Sequence, residues 1–228
     1  MADEPGDAPT GRDLGRRWRP LLGIGGLFSG VALLMTILGS ISLNLALAGM
    51  TLVMLGILGA VLWISDVETR RWIFWTIASG IVAGFTATLA YDASKTALSQ
   101  LDPSPYDPFH AITIFGTLIL GRGADPGLIL AAGTAFHLLN GTSFGVAYAF
   151  LFARGGDTTL RRALVTGIVW GLFLETFQLT LYPGWLDIRT YSEFAAISAL
   201  SHVVYGATLG LLARAILPRL VGTEDDED

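Results

Sequence analysis

Residues Pro20 to Ser65 read PLLGIGGLFSGVALLMTILGSISLNLALAGMTLVMLGILGAVLWIS, 46 positions without a charged side chain. A helix needs roughly 20 apolar residues to cross a bilayer, so this run predicts two spans. Gly39-Ser40-Ile41-Ser42-Leu43-Asn44 is the polar break that turns one into the other. Working outward, four further runs pass the same test: Trp72–Tyr91, Pro126–Ala153, Ala163–Leu186, interrupted only by Glu175, and Phe194–Ala213. Pro108–Gly121 is apolar but only 14 residues long, which predicts a re-entrant or interfacial helix rather than a span. The expected fold class is all-α, a polytopic membrane protein with six transmembrane helices and one short extra helix.

Composition points the same way. Of 228 residues, 52% are hydrophobic and 14% charged, against about 25% charged in soluble domains. That deficit excludes a disordered chain and a nucleic-acid binder and implies a lipid bilayer as the partner. With no cysteine there is no disulfide framework, thiolate metal site or cysteine nucleophile. The net charge of −5 belongs to the tail, where Glu224, Asp225, Asp226, Glu227 and Asp228 supply five acids. Residues 1–19 read as a disordered cytoplasmic N-terminus, 20–217 as one transmembrane domain, and 218–228 as an acidic cytoplasmic tail.

Lys and Arg set the orientation. With the N-terminus inside, Arg12, Arg16, Arg17, Arg19, Arg70, Arg71, Arg154, Arg161, Arg162, Arg214 and Arg219 are cytoplasmic, leaving only Lys95, Arg122 and Arg189 outside. The expectation is N-in and C-in in the cell membrane, with residues 92–126 on the outer face. Trp63, Trp72 and Trp75 suit an inner aromatic belt, and Trp185 an outer one beside Tyr182-Pro183-Gly184. Arg16-Arg17 followed by apolar sequence and Ala46-Leu47-Ala48 imitates a signal peptide, but the stretch is too long and another span follows at once.

Four spans carry a small-residue stripe with one ionisable group. Span four has Gly133, His137, Gly141 and Gly145 at steps of four, and span six has Ser198, His202, Gly206 and Gly210. Span five has Gly167, Gly171 and Glu175, with Gln178 and Tyr182 on the same face; span three has Gly80, Gly84, Thr88 and Asp92. In all four the glycines lie toward the cytoplasm and the ionisable group toward the outside. The helices should approach closely along their inner halves, as small-xxx-small seams permit. Their outer halves should surround a polar pocket. Spans three–four and five–six thus form a two-fold repeat, each an acid helix followed by a histidine helix.

At 1.5 Å per residue, His137 and His202 lie roughly 14–15 Å below the outer ends of their spans and Glu175 roughly 11 Å below its own. These three can therefore meet, with Asp92 as their doorway. Asn140 and Tyr205 each stand one turn from a histidine and could orient it. The plain alternative is packing, since glycine seams and lone histidines in membrane helices often do nothing more. Glu175 resists that alternative, because a carboxylate in hydrocarbon costs roughly 2.5–3.5 kcal/mol on the gentler scales.

Two chemical readings follow. Imidazole titrates near neutrality, so Glu175, His137, His202 and Asp92, with Gln178 and Asn140, could form a proton, ion or small-solute pocket. His137, His202 and Glu175 also make a sensible first shell for a divalent metal. Alternatively His137 and His202 are the axial ligands of one haem b in a respiratory subunit, with glycines relieving crowding by the macrocycle. A third class is a non-catalytic scaffold, assembled as a homo-oligomer or with membrane-complex partners. No Walker loop, GxSxG elbow or HExxH motif is present, and Gly23-Ile24-Gly25-Gly26 follows no strand, so no enzyme class is indicated. Asp102-Pro103-Ser104-Pro105-Tyr106-Asp107-Pro108 forms a proline-rich outer loop before the short helix containing His110.

In span four a Phe follows His137 by seven residues and a Tyr by eleven, in His137-Leu138-Leu139-Asn140-Gly141-Thr142-Ser143-Phe144-Gly145-Val146-Ala147-Tyr148. A glycine-bearing span, a Pro-Gly outer loop, Ser192-Glu193 and a last-span histidine come after it. This ordering, over residues 137–210, resembles the YagU-type family of poorly characterised bacterial inner-membrane proteins. The resemblance implies a multi-pass inner-membrane protein and no established activity.

Overall fold

The computed structural model describes residues 11–39, 41–101, 107–153, 158–180 and 192–221. Of the stretch 1–19 expected to be disordered, residues 1–10 lie outside the described residues, whereas 11–19 form the first turns of a helix that runs to Gly25. Pro103 and Pro105 of the outer loop, the Tyr182–Trp185 anchor, most of the acidic tail and the side chain of Gln178 also lie outside them.

Each apolar run satisfies its backbone internally, the only economical solution in lipid, and the described residues are all-helical. The helices are α1 (Gly11–Gly25), α2 (Phe28–Gly39), α3 (Leu43–Ile64), α4 (Val67–Ser99), α5 (His110–Leu120), α6 (Pro126–Phe152), α7 (Leu160–Thr180) and α8 (Ser192–Val221). Four of them, α3, α4, α6 and α8, are long and apolar enough to cross a membrane. Taken as one broken span, α1 and α2 make a fifth, bent by 48°.

That bend divides what reads in sequence as one straight span. Gly25-Gly26 sits where the chain crosses α6, and a Cβ on Gly26 would lie 2.8 Å from the backbone nitrogen of Ala147. The Leu27 N–H turns to the Ile24 carbonyl at 3.0 Å, a tighter turn than an α-helix makes. Close approach of two backbones, not a polar insertion, therefore breaks the helix. Beyond the break, the Ser29 and Ser143 hydroxyls meet at 2.5 Å and tie α2 to α6.

Local chemistry sets the ends of the long helices. Asp66 caps α4 by accepting the Thr69 N–H at 2.7 Å. The same bond holds the Asp66 carboxyl below its ordinary range. Being depressed in the fold, that group stabilises above the unfolded carboxylate range, and the contribution is lost as pH falls through the lowered value. Asp125 caps α6, accepting from Gly127 and Leu128 with Pro126 in the first turn. Gly121 closes α5 at φ +86°, a conformation natural only to glycine.

At 33 residues α4 is roughly 50 Å long, longer than the roughly 30 Å hydrocarbon core. It is the central post, packing on α6 along one side and α8 along another. α7 lies against α8, α5 against α6, and α2 against α3. The shared core is small and aromatic: Ala83, Ala87 and Tyr91 of α4, Ala147 and Tyr148 of α6, Trp170 of α7, and Tyr205 and Leu209 of α8. α5, at 11 residues, buries Ile112, Phe115 and Gly116. Its Ile119 carbonyl accepts from Asn44 Nδ2 of α3 at 2.8 Å.

Glycines make the closest crossings. A Cβ on Gly84 would lie 2.7 Å from the Gly141 carbonyl oxygen, and one on Gly145 would lie 2.5 Å from the Gly84 Cα. On the other pair of helices, a Cβ on Gly167 would meet the Gly206 carbonyl and lie 3.1 Å from the Gly210 Cα. Gly145 faces the Gly80 carbonyl, and Gly210 faces the Ala163 carbonyl. Gly171 meets the His202 carbonyl. Backbones therefore touch along α4–α6 and along α7–α8, with the Thr88 side chain against Gly141 at one end of the first crossing.

Candidate functional site

These two crossings bring each acid helix to its own histidine. Eight residues beyond Gly84, Asp92 reaches α6, and His137 Nε2 lies 2.8 Å from its Oδ1. Eight residues beyond Gly167, Glu175 reaches α8, and His202 Nδ1 lies 2.8 Å from its Oε2. The same His202 nitrogen donates to the Ser198 carbonyl at 3.0 Å. Facing two acceptors, Nδ1 carries the ring proton, which leaves Nε2 as an acceptor while the ring is neutral. His137 has the other polarity, since its Nε2 serves Asp92.

The pairs differ in burial. Asp92 keeps 27% of its side chain exposed, so water shares its charge. Glu175 is 2% exposed, and neither of its oxygens receives a hydrogen bond among the described residues. The imidazole N–H is spent on Ser198, so Glu175 and His202 make a close ion-pair contact without an aligned hydrogen bond. A buried carboxylate in that condition is costly.

Tyr91 joins the two pairs. Its ring centroid is 5.9 Å from that of His137 and 4.8 Å from that of His202. Its hydroxyl accepts from Lys95 Nζ at 3.0 Å. The ammonium also lies 5.2 Å from the Tyr91 ring centroid and 5.8 Å from that of Phe109. Neither Tyr91 nor Lys95 stands out in the sequence, where Tyr91 is the last residue of an apolar run and Lys95 one of the few basic residues on the expected outer side. The available signal is the four-residue step from Tyr91 to Lys95, which puts both on one face of α4.

A cavity of about 260 Å³ opens beside this group. Thr88, Tyr91, Lys95, His137, Asn140, His202 and Tyr205 form its polar edge, and Phe115, Phe144, Phe173 and Phe177 line its apolar walls. Tyr205 does not orient His202; its hydroxyl donates to the Gly141 carbonyl at 2.9 Å and pins α8 to α6. Asp92, rather than Asn140, holds His137, and Asn140 Oδ1 is buried without a hydrogen-bond partner among the described residues.

The four ionisable groups are thus two pairs, not one cluster. Among the described residues no three His, Asp or Glu side chains come close enough to hold a metal ion. His137, His202 and Glu175 therefore do not assemble as the first shell that their common depth suggested, because each histidine is claimed by the acid of its adjoining helix. A shared haem fits no better. The Tyr91 ring contacts both imidazoles, and His137 Nε2, the usual axial nitrogen, is engaged by Asp92. Each imidazole thus has a carboxyl group on one side and a ring nitrogen left over.

No family model, curated protein or solved structure matches the chain.

Proposed function

We propose that this chain is a six-span protein of a bacterial inner membrane that handles a proton, ion or small solute, the proton first among them, in an outward-facing pocket built on two carboxylate–histidine pairs. The observation that carries the reading is the meeting of Asp92–His137 and Glu175–His202 at Tyr91 on one cavity. A purely structural histidine pair has no need of two buried-side acids and a cavity beside them.

The sixth span in this reading is α7, 21 residues with Arg161 and Arg162 at its start and Glu175 within it. The resemblance of residues 137–210 to YagU-type proteins supports the inner membrane. Basic residues support the orientation. The Arg19 guanidinium lies 5.1 Å from the Trp72 ring centroid, Arg70 Nε donates to the Ser65 carbonyl, and Arg214 Nε donates to the Thr158 carbonyl. All three stand at the end of the bundle away from Lys95. α5 is then the short outer helix, covering the pocket from the side of α6.

The matched crossings support a two-fold repeat, in which Gly84, Asp92, His137 and Gly141 correspond to Gly167, Glu175, His202 and Gly206. This register is one turn away from the alignment that the glycine pairs Gly80-Gly84 and Gly167-Gly171 suggest by themselves.

The topology has a direct check, because the chain carries no cysteine. Gly123→Cys, in the exposed turn between α5 and α6, should react with a membrane-impermeant maleimide added outside intact cells. Labelling only after the cytoplasmic face is opened would contradict it. Function is tested in proteoliposomes carrying an internal pH dye. An imposed pH gradient should relax faster than in protein-free liposomes, and Glu175→Gln should slow it toward the lipid-only rate. A parent protein indistinguishable from empty liposomes would sink the proton reading.

A further inference from the structure

We propose that the cavity beside Tyr91 binds a neutral, lipid-soluble ring with oxygen substituents on opposite edges, the chemistry of a membrane quinone or quinol. The proposal rests on the reading above that this cavity is the working site, and it names the ligand.

The walls come first. Phe115, Phe144, Phe173 and Phe177 surround most of the space, and a hydrated ion or sugar would lose its water there without replacement. Aromatic walls instead suit a flat ring, held by offset or edge contacts. A volume of about 260 Å³ is just under the roughly 300–1,000 Å³ of pockets that enclose a drug-sized ligand. It accommodates a ring and the start of a tail, not a whole lipid.

Access is lateral. Phe173 of α7 and Val31 of α2 both line the cavity, and they are 45% and 37% exposed. On the six-span reading above, both residues stand in membrane-crossing helices, so their exposed surfaces meet lipid. A ligand dissolved in the bilayer reaches the cavity past these two side chains.

The polar edge specifies the head. His137 and His202 contact the same tyrosine ring, and each offers the nitrogen not spent on its acid or on Ser198. Asn140 Oδ1 is a buried acceptor without a hydrogen-bond partner among the described residues. While the imidazoles are neutral, these spare nitrogens and Asn140 Oδ1 are all acceptors. A ring with a hydroxyl at each edge, a quinol, therefore donates to both ends of the set, and a quinone carbonyl finds a donor there only when an imidazole is protonated. Charge argues against an anionic head. Asp92 and Glu175 stand 2.8 Å from His137 and His202 and offset any positive charge on them. The other titratable groups at the cavity are Lys95, Tyr91 and Tyr205. The Lys95 ammonium is engaged with the Tyr91 hydroxyl, and the Tyr205 hydroxyl with the Gly141 carbonyl.

The test uses the full chain in lipid nanodiscs, titrated calorimetrically under reducing conditions with decylubiquinol. Dodecylbenzene, an oxygen-free ring, and palmitate, an anionic head, serve as competitors. Decylubiquinol should bind saturably, one per chain, with affinity at least tenfold weaker in Asn140→Leu and in His137→Gln. Neither competitor should displace it. Absence of saturable binding, or equal affinity in both variants, overturns the proposal. So does displacement by palmitate, which would assign the site to a carboxylate, or by dodecylbenzene, which would make it an unspecific apolar hole. Proton flux in the liposome assay is measured without quinol. Flux with no quinol binding would therefore remove the ligand and leave the proton reading standing, whereas binding without flux would do the reverse.

Discussion

His202→Leu is expected to destabilise the bundle by roughly 3–5 kcal/mol, the usual cost of removing one partner from a buried ion pair. Glu175→Leu on top of it should recover most of that loss. Glu175 is almost wholly buried and receives no hydrogen bond; its compensation is the His202 ring at 2.8 Å. Taking the imidazole away strands the carboxylate in a medium that solvates it poorly. Replacing both groups with leucine removes the demand together with its answer, which for buried pairs is often neutral or better. The corresponding change at the other pair, His137→Leu, should cost less, because the partly exposed Asp92 can turn to water. Unfolding in mixed detergent micelles measures all four proteins. Additive losses in the double variant would mean that Glu175 and His202 do not depend on each other.

The second large effect belongs to the glycine crossings. Gly206→Leu and Gly145→Leu should each disrupt the bundle, at a cost at or above the roughly 1–3 kcal/mol typical of overpacking. Both face backbone: Gly206 meets the Gly167 carbonyl, and a Cβ on Gly145 would lie 2.5 Å from the Gly84 Cα. A helix backbone cannot step aside without moving the whole helix, and with it the acid eight residues further on. Gly141 is different, because its obstacle is the Thr88 side chain. Gly141→Ala should therefore be milder and should be relieved by Thr88→Ala, while no single side-chain truncation should relieve Gly206→Ala. If Gly206→Ala melts like the parent, the α7–α8 seam is not where these backbones meet.

The helices themselves are readable from the chain, because a run such as Pro20–Ser65 has no other stable form in lipid. Steps of four place Gly141 and Gly145, or Gly206 and Gly210, on one face, and it is along that face that the neighbouring helices touch. What the run does not disclose is the break at Gly25-Gly26. Its cause is the approach of Ala147, about 120 positions away in the chain, and a glycine in an apolar run looks alike whether it packs or bends. α7 is also hard to read, since Arg161, Arg162 and Glu175 lower its apolar character while α8 covers the acid.

Partner choice at the site is the other unreadable part. Depth along the helix axis brings Glu175, His137 and His202 to a common level, which suggests a triad with Asp92 at the door. Depth says nothing about which helices are neighbours. The glycine crossings decide that, and they divide the four groups into two pairs. Tyr91, the group between them, carries no sequence signal of its own, because an aromatic residue at the end of an apolar run commonly lies at the membrane interface.

The central claim is that the two pairs act as one site through Tyr91. Solid-state NMR of the chain in bilayers, with nitrogen-labelled histidine, tests it most directly. In Glu175→Gln, which keeps the shape of the side chain and removes its charge, the ring nitrogens of His202 should move, and those of His137 should move with them across a pH titration. A His137 ring that titrates identically in the variant and the parent would contradict the account, and the two pairs would then be separate packing contacts on neighbouring helices.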